Sequence, residues 1–246
     1  MIKISVITPS IRKELLEIVS KCLRRQTEQS FEWLVGSPED YGFGRFIKEP
    51  SKLDGDFYCL NKCMNSLYRE VKGELIIQIT DGIWFPPDTL ERLWNHYINN
   101  SKGLVTTIGH QYDQLDKYGK PINMVWQDPR ARLDQGTFYE VAPSEMEMCI
   151  ASLPRQAVVD CGGVDEEYDK GPAVGEKEMC WRLDKIGYKF YIDQTIEYRA
   201  IHHPRLSSNW DEMYLKVTTP IFIKHMKQLQ NGERTLNVGY VSDKIS

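Results

Sequence analysis

The chain has 246 residues, 41% hydrophobic and 27% charged, with a net charge of −4, which suits one large soluble α/β domain or one domain with a modest appendage. No Lys/Arg block is present, so the electrostatic footprint of tight, unspecific nucleic-acid binding is missing, although a local basic groove remains compatible with the composition. No apolar run approaches the ~20 residues of a membrane span, and the chain opens on a strand pattern rather than a charged and then apolar leader, so a cytoplasmic protein is expected.

Ile2 to Thr8 predicts a first strand, broken by Thr8-Pro9-Ser10. A helix follows, with Leu15, Leu16, Val19, Cys22 and Leu23 facing inward. Phe31 to Val35 predicts a second strand, completing a β-α-β unit with an expected right-handed crossover. Gly36-Ser37-Pro38-Glu39-Asp40 closes that strand at the sheet end shared by Thr8 and Asp81. Tyr41 to Asp56 reads as a loop with room for one short strand. Phe57 to Val71 predicts a helix with Leu60, Cys63, Met64, Leu67 and Val71 on one face, ending where Gly73 takes a left-handed cap.

Leu75 to Thr80 reads as a strand buried on both faces, because Ile76, Ile77 and Ile79 do not alternate with polar residues. It ends on Asp81-Gly82, and Pro86-Pro87 forbids further pairing. Asp88, with Glu91 three residues on, has capping-box spacing for a helix carrying Leu90, Leu93, Trp94, Tyr97 and Ile98. A carboxylate therefore stands at the carboxyl end of a buried strand, where open α/β sheets place ligands. An aspartate that merely opens a turn fits the same residues.

Leu104 to Gln111 predicts another strand, and Tyr118-Gly119-Lys120-Pro121 a turn. Trp126-Gln127-Asp128-Pro129-Arg130 then groups an aromatic face, an acid and a guanidinium, a set suited to a sugar. Phe138 to Ala142 and Met146 to Ser152 are short strand candidates, Pro154 to Asp160 a short helix, and Cys161-Gly162-Gly163 a turn into an acidic loop. Glu176 to Ile186 predicts a helix stopped by Gly187, followed by a strand from Tyr188 to Ile192. His202-His203-Pro204 closes the core, a helix interrupted by Pro220 runs from Asn209 to Gln230, and the last dozen residues read as loose. The six cysteines follow no pairing pattern. Cys59 and Cys63 lie one helical turn apart, so buried thiols are expected rather than disulfides or zinc. His96, His110 and His225 read as structural, and Trp84 and Trp181 as core.

In order and spacing, these segments resemble a family 2 glycosyltransferase over roughly Ile2 to His203. The resemblance lies in Ile4-Ser5-Val6-Ile7-Thr8-Pro9-Ser10, in Leu23-Arg24-Arg25-Gln26-Thr27, and in Met64-Asn65 through Lys72-Gly73-Glu74. It continues in Asp81-Gly82-Ile83-Trp84-Phe85-Pro86-Pro87-Asp88, in Gly162-Gly163-Val164-Asp165-Glu166, and in Glu176 through Leu183. It implies an α/β GT-A fold: a Rossmann-like, mostly parallel central sheet flanked by helices, with a smaller irregular acceptor-side β region and a C-terminal helical extension. Residues 1–100 would form the nucleotide-sugar half, 101–205 the acceptor half, and 206–246 the extension.

The resemblance also implies an activity: metal-dependent, inverting transfer of a sugar from a UDP-, GDP- or dTDP-sugar to a hydroxyl acceptor. Asp81 falls on the last Asp of the Asp-x-Asp motif and would bind Mn²⁺ or Mg²⁺, hard cations that prefer oxygen ligands. The first Asp of that motif falls on Ile79. One of His202 and His203 would complete the metal shell. Thr8, Pro9, Ser10, Glu39, Asp40, Asn65 and Asp81 would hold the donor. Trp126, Asp128, Arg130 and Glu178 would face the acceptor. The family's base falls on Glu176, where a helix N-terminus favours the ionised form, and its preceding Glu falls on Gly175. The acceptor stays open among surface glycans, lipid-linked sugars, proteins and modified DNA bases, the last disfavoured by the acidic charge balance. Two rival readings stand beside this one. A nucleotidyltransferase would need a glycine-rich phosphate loop that Thr8 to Arg12 lacks. A catalytically inactive nucleotide-sugar or glycan-binding module would fit the Ile79 and Gly175 departures.

Overall fold

The computed structural model describes residues 2–49, 60–172, 174–202 and 209–242. Its strands are β1 (Ile4–Pro9), β2 (Phe31–Ser37), β3 (Arg45–Lys48), β4 (Leu75–Ile79), β5 (Ile83–Trp84), β6 (Gly103–Leu115), β7 (Pro121–Trp126), β8 (Phe138–Val141), β9 (Ile150–Pro154) and β10 (Lys189–Ile201). They form one sheet in the order β3-β2-β1-β4-β9-β6-β10-β5, with β7 added to β6 and β8 to β10. The half from β3 to β4 is parallel, while β9 runs antiparallel to both β4 and β6.

Helices α1 (Lys13–Leu23) and α3 (Thr89–Asn99) cover one face, and α2 (Leu60–Glu70), α4 (Arg155–Cys161) and α5 (Gly175–Ile186) the other. Alternation along the strands feeds both layers. Ile4 and Val6 of β1, with Leu75, Ile77 and Ile79 of β4, pack among Val19, Cys22, Leu90 and Leu93. Ile7 and Ile76 point the opposite way, among Met64, Leu67, Val158 and Leu183. All five residues of β4 are buried, as a central strand between two helical layers requires.

Several expectations change. Gly73 does not adopt a left-handed cap: a Cβ there would lie 2.5 Å from the Ser5 nitrogen and 2.6 Å from the Ile4 carbonyl carbon, so glycine is required for close approach to β1. No capping box forms at Asp88; its side chain caps nothing, and Glu91 accepts the Thr27 hydroxyl at 2.7 Å. Ile98 is exposed rather than core. The strand expected at 146–152 begins only at Ile150. β10 is far longer than Tyr188 to Ile192, running to Ile201 through a bulge between Asp193 and Glu197. β7 was not expected at all; five of its six residues are exposed, so its apolar residues carry no core periodicity.

The C-terminal extension is α6 (Trp210–Met213), a π-helical turn over Tyr214–Thr218, and α7 (Thr219–Gln230), which starts with Pro220 in its first turn. The end of the chain is not loose as far as residue 242. Val238 donates to the Cys161 carbonyl at 3.0 Å, Tyr240 to that of Gly162 at 2.9 Å, and Val241 is buried in the core. Cys22, Cys149, Cys161 and Cys180 are free thiols. Cys59, His203 and the expected helical start at Phe57 lie outside the described residues.

Candidate functional site

β1 and β4 are parallel neighbours, from Ile4 opposite Leu75 to Ile7 opposite Gln78. Their carboxyl ends, Pro9-Ser10 and Thr80-Asp81, therefore emerge side by side. Here Asp81 is 4% exposed, and both its oxygens are engaged. Arg12 Nη2 donates to Oδ1 at 2.6 Å and Arg12 Nε to Oδ2 at 3.1 Å, while the Ser10 hydroxyl donates to Oδ2 at 2.6 Å. Ser10 Oγ also accepts the Arg12 backbone N–H at 3.0 Å, fixing the loop that carries the guanidinium. The cleft beside this group has a volume of about 250 Å³, and Ser10, Arg12, Gln78, Asp81, Glu147 and Glu176 all line it.

Glu176 enters the cleft from the first turn of α5. Its Oε1 accepts from Gln78 Nε2 at 2.5 Å, and the Gln78 oxygen faces the buried Tyr68 hydroxyl at 3.5 Å. Burial pushes the Glu176 carboxyl up from its ordinary value, and the Gln78 hydrogen bond offsets part of that rise. The result is a carboxylate with a raised proton affinity, oriented by an amide, as a general base requires. Gly175 leaves no room for the side chain the family carries there: a Cβ would lie 2.1 Å from Asn61 Oδ1. Glu147, on the cleft wall, pairs with Lys177 at 2.9 Å.

The other expected donor residues are spread out. Pro9 lines the cleft. Thr8 is buried and accepts the Trp33 indole N–H at 3.0 Å. Glu39 and Asp40 are exposed, with Asp40 accepting the Gly42 N–H at 2.8 Å. Asn65 is fully buried and braces the glycine turn, accepting from Val164 N at 2.9 Å and donating to its carbonyl at 2.9 Å.

The acceptor set is divided in the same way. Trp126 is 45% exposed at the end of β7. Asp128 and Arg130 hold each other, with Nε to Oδ1 at 3.0 Å and Nη2 to Oδ2 at 2.5 Å. Arg130 further donates to the Glu145 and Thr107 carbonyls, so the pair ties this loop to β6. Glu178 is fully buried between Arg182 Nε at 2.8 Å and Arg234 Nε at 3.2 Å. None of these four lines the Asp81 cleft.

Among the described residues, Asp81 is held by Arg12 and Ser10 rather than grouped with further metal ligands. Among the described residues, no group of three His, Cys, Asp or Glu ligand atoms close enough for one ion includes Asp81. Ile79, where the motif's first acid falls, is buried in the apolar core. His202 lies near in the chain path, because Ile201 donates to the Gly82 carbonyl at 3.0 Å, but it is exposed and its Nδ1 faces Gln111 Oε1 at 3.3 Å. One group of three does exist elsewhere, formed by Asp165, Glu167 and His225. There a cation is again already present, since Arg234 Nη2 is bonded to Asp165 Oδ2.

Sequence reasoning missed Arg12 and Gln78. Each carried a signal: Arg12 is the cation two residues past Ser10 at the ligand end of β1, and Gln78 is the one polar side chain within the buried strand Leu75–Ile79.

No protein-family model matches the chain, and no curated protein does. Among solved structures it is similar to one described as GalNAc-T7 with UDP, GalNAc and Mn²⁺, with a TM-score of 0.67 over 94% of this chain. This chain has the GT-A fold. Identity in that GT-A comparison is 10%, and the match covers 50% of the other chain. Among the described residues, no helix of this GT-A chain is long and apolar enough to cross a membrane.

Proposed function

We propose that the chain transfers a sugar from a nucleoside diphosphate sugar to a hydroxyl acceptor, with inversion, as a transferase of the family 2 type. The observation that carries this reading is Glu176: a carboxylate of raised proton affinity, held by Gln78, in the same cleft as the Arg12–Asp81 pair. In the step itself, Glu176 takes the proton of the acceptor hydroxyl as that oxygen attacks the anomeric carbon. The bond from carbon to the diphosphate oxygen breaks, and its electron pair leaves with the nucleoside diphosphate. A single displacement needs one base and inverts the anomeric centre.

Ser10, Thr80 and the Arg12 guanidinium line the wall where the diphosphate would lie, at the carboxyl end of parallel strands. The similar structure holds UDP and GalNAc, which makes a UDP-sugar the first donor to test. Its Mn²⁺ belongs to that protein, and the reading here assigns no resident cation to Asp81. The test is incubation with UDP-, GDP- and dTDP-sugars, with release of nucleoside diphosphate as the readout. The wild type is expected to hydrolyse one donor slowly without an acceptor, and Glu176→Gln to bind that donor without turning it over. Release at the same rate by both would contradict the reading.

A further inference from the structure

Breaking the bond to a diphosphate leaves negative charge that a site must meet with fixed positive charge or oriented donors. A divalent cation held by two strand-end carboxylates answers that need with a group that is neutral overall. In this chain one of the two acids is replaced by Ile79, which is buried among apolar side chains and offers no oxygen. At the end of β4 stands the carboxylate of Asp81, and the monovalent cation Arg12 is joined to it through two hydrogen bonds at 2.6 and 3.1 Å. The Arg12–Asp81 pair is neutral overall, with a guanidinium beside the carboxylate where a metal would stand.

The geometry also favours a working group over a passive one. Arg12 lines the cleft, Asp81 fixes its Nε–Nη2 edge, and Ser10 pins both the carboxylate and the Arg12 backbone. A guanidinium held in this way matches the geometry of phosphate oxygens. We propose that Arg12, buttressed by Asp81 and Ser10, is the cation that neutralises the donor diphosphate, so that donor binding does not depend on a divalent metal. The inference rests on the glycosyl-transfer reading.

Isothermal titration with UDP, GDP and dTDP, each alone, tests it in EDTA and again in Mn²⁺. For at least one nucleotide the wild-type affinity is expected to agree in the two media within about threefold. The double variant Arg12→Gln/Asp81→Asn keeps hydrogen-bonding groups of similar shape and leaves no lone buried charge. Folded, as judged by its melting curve, it should bind that nucleotide about 30-fold more weakly or worse, the scale of a lost charge-assisted contact. Binding that disappears in EDTA, or a folded double variant that binds as well as the wild type, would overturn the proposal. If the double variant does not fold, the EDTA comparison on the wild type decides alone. Failure of all three nucleotides to bind in either medium would instead sink the glycosyl-transfer reading itself.

Discussion

Glu176 and Gln78 act as a unit, and their hydrogen bond makes opposite predictions for the two side chains. Glu176→Gln removes proton acceptance but keeps size and hydrogen bonding, so turnover should fall by roughly 10²–10⁴ while donor affinity holds. The loss belongs in kcat more than in KM, because the contact matters chiefly in the transition state. Burial raises the Glu176 carboxyl above its ordinary value of 4.5, so a base at this position, as proposed, would be lost on acidification at a pH above that value. The acid limb of the wild-type profile should therefore lie higher than for an exposed glutamate, and be absent in the variant. Gln78→Leu removes the bond that lowers the Glu176 pKa and leaves burial unopposed. Its acid limb should move to still higher pH, with residual activity recovering as pH rises. A limb that stays in place would return Gln78 to a packing role. Glu178→Gln breaks a buried pair with Arg182 and Arg234 and should act through stability rather than catalysis.

At the scale of elements, the motif segments read from the sequence meet in a brace around the glycine turn. Gly162 and Gly163 both have positive φ, at 70° and 86°, and Arg182, fully buried, donates to the carbonyls of Cys161, Gly163 and Leu236. Asp165 accepts the Glu167 N–H, and Asp169 accepts two N–H groups in the first turn of α2, from Asn61 and Lys62, at 2.9 Å each. A Cβ on Gly163 would lie 2.4 Å from Asn65 Oδ1 and 2.8 Å from Val241. Gly163→Ala should therefore cost about 2 kcal/mol or more, from backbone strain and the clash together, and lower the melting temperature. An unchanged melting temperature would contradict that packing.

The parallel half of the sheet was legible in the sequence because β1, α1, β2, α2 and β4 each bury a periodic apolar set against both layers. Glu176 and Asp81 were singled out in the sequence by resemblance, and both line the cleft. The partners that define the cleft were not, because the pairings of Arg12 with Asp81 and Gln78 with Glu176 span 69 and 98 residues. The exposed hairpin of β6 and β7 and the returning C-terminal segment, fastened by backbone bonds at Cys161 and Gly162, leave no periodic trace either.

Across the whole molecule, the C-terminal helix α7 is joined to the GT-A core through a buried histidine. His225 is 1% exposed, with Nδ1 at 3.1 Å from the Tyr168 hydroxyl and Asp165, Glu167, Glu178 and Arg234 around it. Burial, with Arg234, outweighs the carboxylates and lowers its pKa below the ordinary 6.5. The unfolded chain then binds more protons than the folded one just below pH 6.5, so this contribution to stability is present above that pH and is lost as pH falls through the folded value. Glu176 and Asp169, whose pKa values are raised, act in the opposite sense at lower pH, so the comparison must be between variants. Denaturant melts from pH 7 to 5 should show a steeper loss in the wild type than in His225→Gln. Equal slopes would remove His225 as the cause.

On the proposed reading, a GT-A cleft carrying one base, Glu176, moves a sugar from a nucleotide donor. The measurement that tests it most directly is a timed assay of nucleoside diphosphate release from UDP-, GDP- and dTDP-sugars by wild type and Glu176→Gln, with nucleotide binding measured on both. Release from at least one donor by the wild type is expected, and the variant should bind the same nucleotide while release falls at least about 100-fold. Nucleotide binding with no release by the wild type from any donor, or equal release by both proteins, would contradict it.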